Sequence, residues 1–233
     1  MINDGLFGGD YLPVTAHIGF LKTSLASAST AHMDWMENLH RDLSKTHVTD
    51  ELRSLLVQLE PLTNRPTKYL WLETRTGWSA LLVNRFRVGD VRSTISTLAQ
   101  RLRCEGLIVD CQPEPFGEPM PEGHAWSNYS FSLLKPTSDG LNRRIIQCAN
   151  DGGKWTFGQN GIPEPFEDMA AYKSRRIKDR FTARLLRRYC EALGIDIFQE
   201  TFYGPGGYLY EDREPGQHEF VGLSEARREL GIS

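Results

Sequence analysis

Residues 67–112 restrict the fold more than any other part of the chain. Residues 67–74 (TKYLWLET) and 77–84 (GWSALLVN) are two extended runs joined through Arg75, Thr76 and Gly77. In the first run Tyr69, Trp71 and Glu73 point to one face and Leu70 and Leu72 to the other, because side chains alternate along a strand. Neither face is purely polar, which predicts cover on both sides of the hairpin. Residues 90–104 then carry a helical repeat. Asp90 is the expected cap, Val91, Ile95, Leu98 and Leu102 form one stripe, and Arg92, Arg101 and Arg103 lie away from it. Gly106 releases the chain into Leu107, Ile108 and Val109, whose apolar continuity predicts an interior strand. Hairpin, helix and returning strand in this order predict layers of helix and sheet.

The flanking segments add to that unit. Residues 1–31 are weakly patterned, and the small-residue stretch 24–31 (SLASASTA) suits either a linker or the first turns of a helix. The spacing of Met36, Leu39 and Leu43 predicts a short helix over 33–44. A second helix is expected over 49–60, capped by Thr49 and ended by Pro61, with Leu52, Leu55, Leu56 and Leu59 on its apolar face. These two helices are expected to pair antiparallel over the sheet. Residues 113–124 (PEPFGEPMPEGH) form a loop longer than a plain connection requires. Three further strands follow, near 126–134, 143–149 and 154–159, the last two joined by a turn at Asn150, Asp151, Gly152 and Gly153. Residues 167–180 are expected to be helical in part. Thr182 caps a helix that runs to Leu193, with Gly194 after it. Residues 195–203 dock on the body, and Ser224 is the expected cap of a last short helix. The expected fold is therefore α+β. A largely antiparallel sheet of about six strands spans 67–159, an N-terminal helical pair covers 33–60, and a basic helical region covers 167–193. Residues 1–203 read as one domain and 204–233 as a glycine-rich, irregular tail.

Composition narrows the class but not the role. The chain has 233 residues, a net charge of −3, 39% hydrophobic and 24% charged residues, proportions typical of a globular protein. The small negative charge argues neither for a nucleic-acid coat nor for an acidic solvating protein. Cys104, Cys111, Cys148 and Cys190 form no CxxC pair, and they read as buried thiols of a reducing, cytoplasmic setting. No apolar run is long enough for a membrane span, and the N-terminus lacks a secretory pattern. No cofactor and no metal ion is expected.

Several motifs invite a catalytic reading and fail it. His40, Arg41, Asp42 and Leu43 copy the first letters of a kinase catalytic loop, but no glycine-rich loop precedes them and no Asp-Phe-Gly follows. Gly152, Gly153 and Lys154 lack the remainder of a phosphate loop, since Cys148 and Trp155 stand where its Gly and Ser/Thr belong. His40 and His47 are a weak metal pair. Asp110, Cys111, Glu114, Glu118, Glu122 and His124 bring carboxylates and an imidazole near one strand end, a set able to do acid–base work. Trp71, Trp78, Trp126, Tyr129 and Trp155 read first as core aromatics, with a binding face as the second option.

The most unusual local feature is basic. Lys173, Arg175, Arg176, Lys178, Arg180, Arg184, Arg187 and Arg188 lie within sixteen positions, opposed only by Asp179. A solvated helix face neutralised by Glu164, Glu167 and Asp168 has the same sequence pattern. The functional alternative is a partner surface made by Arg175, Arg176, Arg180, Arg184, Arg187 and Arg188 with Trp155, since guanidinium forks grip carboxylates and phosphates. The favoured expectation is a non-catalytic binding protein of the immunity or neutralising type with an acidic protein partner. A nucleic acid or nucleotide is the second partner class. The runner-up function is a small enzyme acting on a phosphorylated or nucleotide substrate, with these arginines as clamp and the 110–124 region as acid and base.

Overall fold

A computed structural model describes residues 5–86, 91–113, 125–213 and 219–229. Eleven strands are described: β1 (His17–Leu21), β2 (Leu43–Thr49), β3 (Leu62–Thr63), β4 (Lys68–Thr74), β5 (Ser79–Val83), β6 (Gly106–Gln112), β7 (Ala125–Pro136), β8 (Leu141–Asp151), β9 (Lys154–Asn160), β10 (Tyr203–Asp212) and β11 (Phe220–Val221). The helices are α1 (Leu25–Asn38), α2 (Leu52–Val57), α3 (Arg92–Leu102), α4 (Ala183–Ala192) and α5 (Leu223–Glu229). Nine strands form one sheet in the order β2-β10-β4-β5-β1-β6-β7-β8-β9, and β3 and β11 pair separately. Every neighbouring pair in the large sheet is antiparallel. Among the described residues no helix is long and apolar enough to cross a membrane.

The sheet is covered on both faces, as the mixed faces of the first hairpin predict. Leu70, Leu72, Leu82, Val109 and Phe131 pack with Leu55 of α2 and Leu186 and Tyr189 of α4. The opposite face puts Trp71, Leu81 and Ile108 against Ala28 and Met36 of α1 and Ile95 and Leu98 of α3. Burying such a side chain contributes about 1.5–3 kcal/mol each relative to exposure. The 67–112 unit therefore supplies the centre of the sheet, with helix α3 above it.

Several expectations are corrected. The sheet has nine strands rather than about six, because β1, β2 and β10 join the six that the patterning shows. The helical pair does not exist: α1 and α2 lie in opposite layers, with edge strand β2 between them in sequence. Helix α1 starts at Leu25, with Ser24 accepting a hydrogen bond from the Ser27 amide at 3.2 Å, and its small residues Ala28 and Ser29 are buried against the sheet. It ends at Asn38, so Leu43 belongs to a strand and Thr49 ends that strand rather than capping a helix. Finally, the expected tail begins with β10, an interior strand between β2 and β4. The boundary expected at 203/204 therefore falls inside a strand. Ser224 lies within α5, not before it.

Other local signals behave as the residue types require. Gly152 and Gly153 take φ of 56° and 85° in the β8–β9 turn, where a two-residue hairpin needs left-handed residues. The Thr182 hydroxyl accepts from the Leu185 amide at 3.4 Å to cap α4. Gly194, at φ 77°, closes its far end. Asp90 lies outside the described residues, and Val91 stands at the start of α3.

Candidate functional site

The basic stretch wraps the far end of the sheet. Helix α4 buries Leu185, Leu186 and Tyr189 and turns Arg184 and Arg188 outward. The segment before it crosses β8 and β9: the Cys148 thiol meets the Ile177 carbonyl at 3.3 Å, and Tyr172 packs on Phe157. Most of the arginines are held locally. Arg187 reaches Glu191 at 2.8 Å and Asp196 at 3.6 Å, Arg188 reaches Asp168 at 3.4 Å, and Arg176 reaches Asp179 at 3.6 Å. Arg180 donates to the Ser174 carbonyl at 3.0 Å and lies over the Phe157 ring. Arg175 and Arg184 are exposed and make no hydrogen bond or ion pair to any described residue. Trp155 is partly buried on β9 beside Phe157.

Of the three acids expected to neutralise this stretch, only Asp168 does so. Glu167 is committed to Arg144 instead, in a buried bidentate pair at 2.8 and 2.6 Å whose side chains are 0% and 4% exposed. Burial alone would raise the Glu167 pKa, but Arg144, the Glu164 amide and the Tyr172 hydroxyl hold it below the usual carboxylate range. Lys135 takes Glu164 at 2.7 Å. These contacts pin the chain after β9 to the sheet and leave the arginines beyond it.

Asp110 sits on the other face. Its buried carboxylate accepts from His17 Nδ1 at 2.8 Å, from Asn128 Nδ2 at 3.3 Å and from the Arg92 guanidinium. Burial alone would raise its pKa, yet the His17 hydrogen bond and the charges of His17 and Arg92 hold it below the ordinary range. Arg92 is therefore not a bystander on the outer side of α3, as its place in the helical repeat suggests. A carboxylate taking this many donors orients its partners. His17 presents Nε2 away from Asp110, but among the described residues no hydroxyl or thiol hydrogen-bonds it, so no nucleophile–base pair is assembled. Glu114, Glu118, Glu122 and His124 lie outside the described residues. Asp110 faces α3 while Cys111, the next residue, packs in the α4 layer, so Asp110 and the arginine stretch stand on opposite sides of the sheet.

The remaining expected residues take structural places. Trp71 and Trp78 are 0% and 2% exposed and donate to His32 Nδ1 and the Leu193 carbonyl. The Trp126 side chain is outside the described set. His47 packs on Tyr208 along β2, remote in role from His40, and no group of three or more potential metal ligands occurs among the described residues. Burial pushes the Cys104 and Cys148 thiols up to about 11, so neither is a thiolate at neutral pH.

Sequence patterning gives no hint of a third place, a cleft of about 770 Å³ where the end of α1 meets the start of α3. Helix α1 closes with a full Schellman arrangement: the His40 amide donates to the Glu37 carbonyl at 2.9 Å and the Arg41 amide to Met36 at 3.0 Å. His40 therefore holds φ at 55°, a position where glycine is usual. Arg41 is fixed by the Asp212 carboxylate and by the Tyr69 hydroxyl at 2.8 Å. Burial would lower the pKa of Arg41, but Tyr69 and Asp212 raise it, so it stays charged. Arg65 and Arg85 complete the basic lining. The His-Arg-Asp sequence is thus a helix stop feeding a strand, and all three of its residues border a basic cleft.

Comparison with known proteins attaches no family to this architecture: no protein-family description, no curated protein and no solved structure matches the chain.

Proposed function

We propose that this protein is a non-catalytic binding protein that engages an acidic protein partner, in the manner of a cytoplasmic immunity or neutralising protein. The observation that carries this reading is the state of Arg175 and Arg184, exposed and unbonded to any described residue beside arginines that are tied down. Guanidinium groups present a planar fork that fits carboxylates two bonds at a time. Strand β9, next to them, pairs only with β8 among the described residues. Its outer amides and carbonyls suit the addition of an extended segment, for which Trp155 and Phe157 supply apolar neighbours. Discrete acidic side chains suit this surface better than a polyphosphate backbone. Asp168, Asp179, Glu191 and Asp196 lie among the arginines and would repel continuous negative charge.

The test uses wild-type protein and the Arg175→Glu/Arg184→Glu double variant as parallel baits in extract of the source cell at low salt. One acidic protein in stoichiometric amount is expected on the wild type, released by salt and lost from the variant. The variant's stability should stay within about 0.5 kcal/mol of wild type, because both side chains are exposed. Equal capture by both baits overturns the proposal, and capture of nucleic acid in place of protein overturns the partner class.

A further inference from the structure

We propose that the cleft between α1 and α3 binds a small phosphorylated molecule carrying a flat apolar group. This site is separate from the α4 surface and shares no residue with it. Its charge comes first. Arg41, Arg65 and Arg85 line the cleft together with Asp42 and Asp212. Asp212 is matched by Arg41, and Asp42 by Arg213 at 3.2 Å. Arg65 then remains as an exposed guanidinium with no hydrogen bond to a described residue. Arg85 adds a further positive group to the lining. A positive recess of low-dielectric walls concentrates anions. Phosphate, with three terminal oxygens, accepts from more than one guanidinium fork.

The wall beside the arginines is apolar. Trp35 comes from the last turn of α1 and Leu39 caps its end, and Leu39 is 51% exposed, a large apolar group left open at the rim. The volume is that of sites for small organic ligands, roughly 300–1,000 Å³. Ser93, from the start of α3, is also a lining residue. Backbone strain supplies the second observation. A histidine at φ 55° is less favourable than glycine there, and such strain persists where the side chain has use. His40 is itself a lining residue of the cleft, so the strained position borders the same space.

The test is calorimetric titration of the full chain with three probes: adenosine monophosphate, adenosine and inorganic phosphate. Saturable binding is expected for the monophosphate, weaker binding for phosphate, and none for adenosine. Arg65→Glu and His40→Gly should each weaken monophosphate binding by about tenfold or more, the scale of one lost charged contact. The Arg175→Glu/Arg184→Glu protein should bind it unchanged, which separates this site from the partner surface. Glycine removes the strain at position 40, so His40→Gly should melt no lower than wild type and its loss of affinity cannot reflect misfolding. No saturable binding of either phosphate-bearing probe, adenosine binding as tightly as its monophosphate, or full affinity in Arg65→Glu overturns the proposal.

Discussion

His32 of α1 is fully buried between Tyr69, Trp71 and Tyr210. Its Nδ1 accepts from the Trp71 indole at 3.1 Å, which places the proton of the neutral ring on Nε2, an atom buried without a partner among the described residues. Burial foremost, and the nearby positive charge of Arg41, lower its pKa from 6.5 to about 3. The folded state therefore refuses a proton that the unfolded state accepts. Stability attributable to His32 is fully present above pH 6.5 and is lost as pH falls toward 3, by about 1.4 kcal/mol per pH unit in between. Urea unfolding at a series of pH values should show this slope in wild type and its loss in His32→Gln, whose amide oxygen can replace the Trp71 acceptor. An unchanged slope in the variant would remove His32 as the cause. Asp110 acts in a separate window. Its pKa is depressed in the folded state, so its contribution is present above the unfolded carboxylate value of 3.8 and fades only below it. Neither residue's role is legible locally. Asp110 finds its histidine in His17, 93 positions away, and His32 is enclosed by rings from β4 and β10.

At the level of elements, β10 shows most clearly where pattern reading stops. Gly204, Pro205, Gly206 and Gly207 have the composition of a turn, yet they open an interior strand. The pairing with β4 shifts register between Tyr203 and Gly207, and this irregular stretch accommodates a proline that has no amide to give. Its carbonyl still accepts from the Asp50 amide at 2.9 Å. Beyond it, Gly207 lies so close to β4 that a Cβ would overlap the Trp71 carbonyl oxygen, whereas a Cβ on Gly206 meets nothing within 4 Å. Gly207→Ala should therefore cost about 1–3 kcal/mol through a forced backbone shift. Gly206→Ala should stay within about 0.5 kcal/mol. Denaturant midpoints of the two variants decide the matter, and equal costs would sink the close-approach explanation. The hairpin of β4 and β5, α3 and β6 were legible because their periods of two and 3.6 run uninterrupted. The α1 stop was not, because the residue that closes it is a histidine and the glycine signal is missing. The cleft was illegible for the same reason, since it is built where that stop meets a helix fifty residues onward in the chain.

For the whole molecule, the sheet order makes the two ends of the chain interdependent. Among the described residues β2 has no strand partner other than β10, and β10 also closes the exposed side of β4. Tyr210 on β10 reaches back to Ser29 of α1 at 2.5 Å, and Arg41 to Asp212, so the late strand also anchors the first helix. A chain ending after Phe202 would leave β2 without a ladder and would uncover Trp71 and Tyr69, a loss no local adjustment offsets. Such a truncation should show no cooperative urea transition. A chain ending after Arg213 keeps all nine strands and loses only β11, α5 and their contacts. Among the described residues, Val221 and Ala226 are buried and β11 pairs with β3, Arg227 donates to the Gly9 and Asp10 carbonyls at 2.6 and 2.8 Å, and the Leu223 amide donates to Glu60 at 2.8 Å. At about 1 kcal/mol for each hydrogen bond, plus the two buried side chains, this truncation should still unfold cooperatively, with a stability lower by several kcal/mol. Tryptophan fluorescence and far-ultraviolet circular dichroism followed together would tell the two cases apart. A cooperative transition of undiminished denaturant dependence in the shorter chain would mean that residues 203–212 are an appendage. Its absence would make them part of the body on which the rest of the sheet depends.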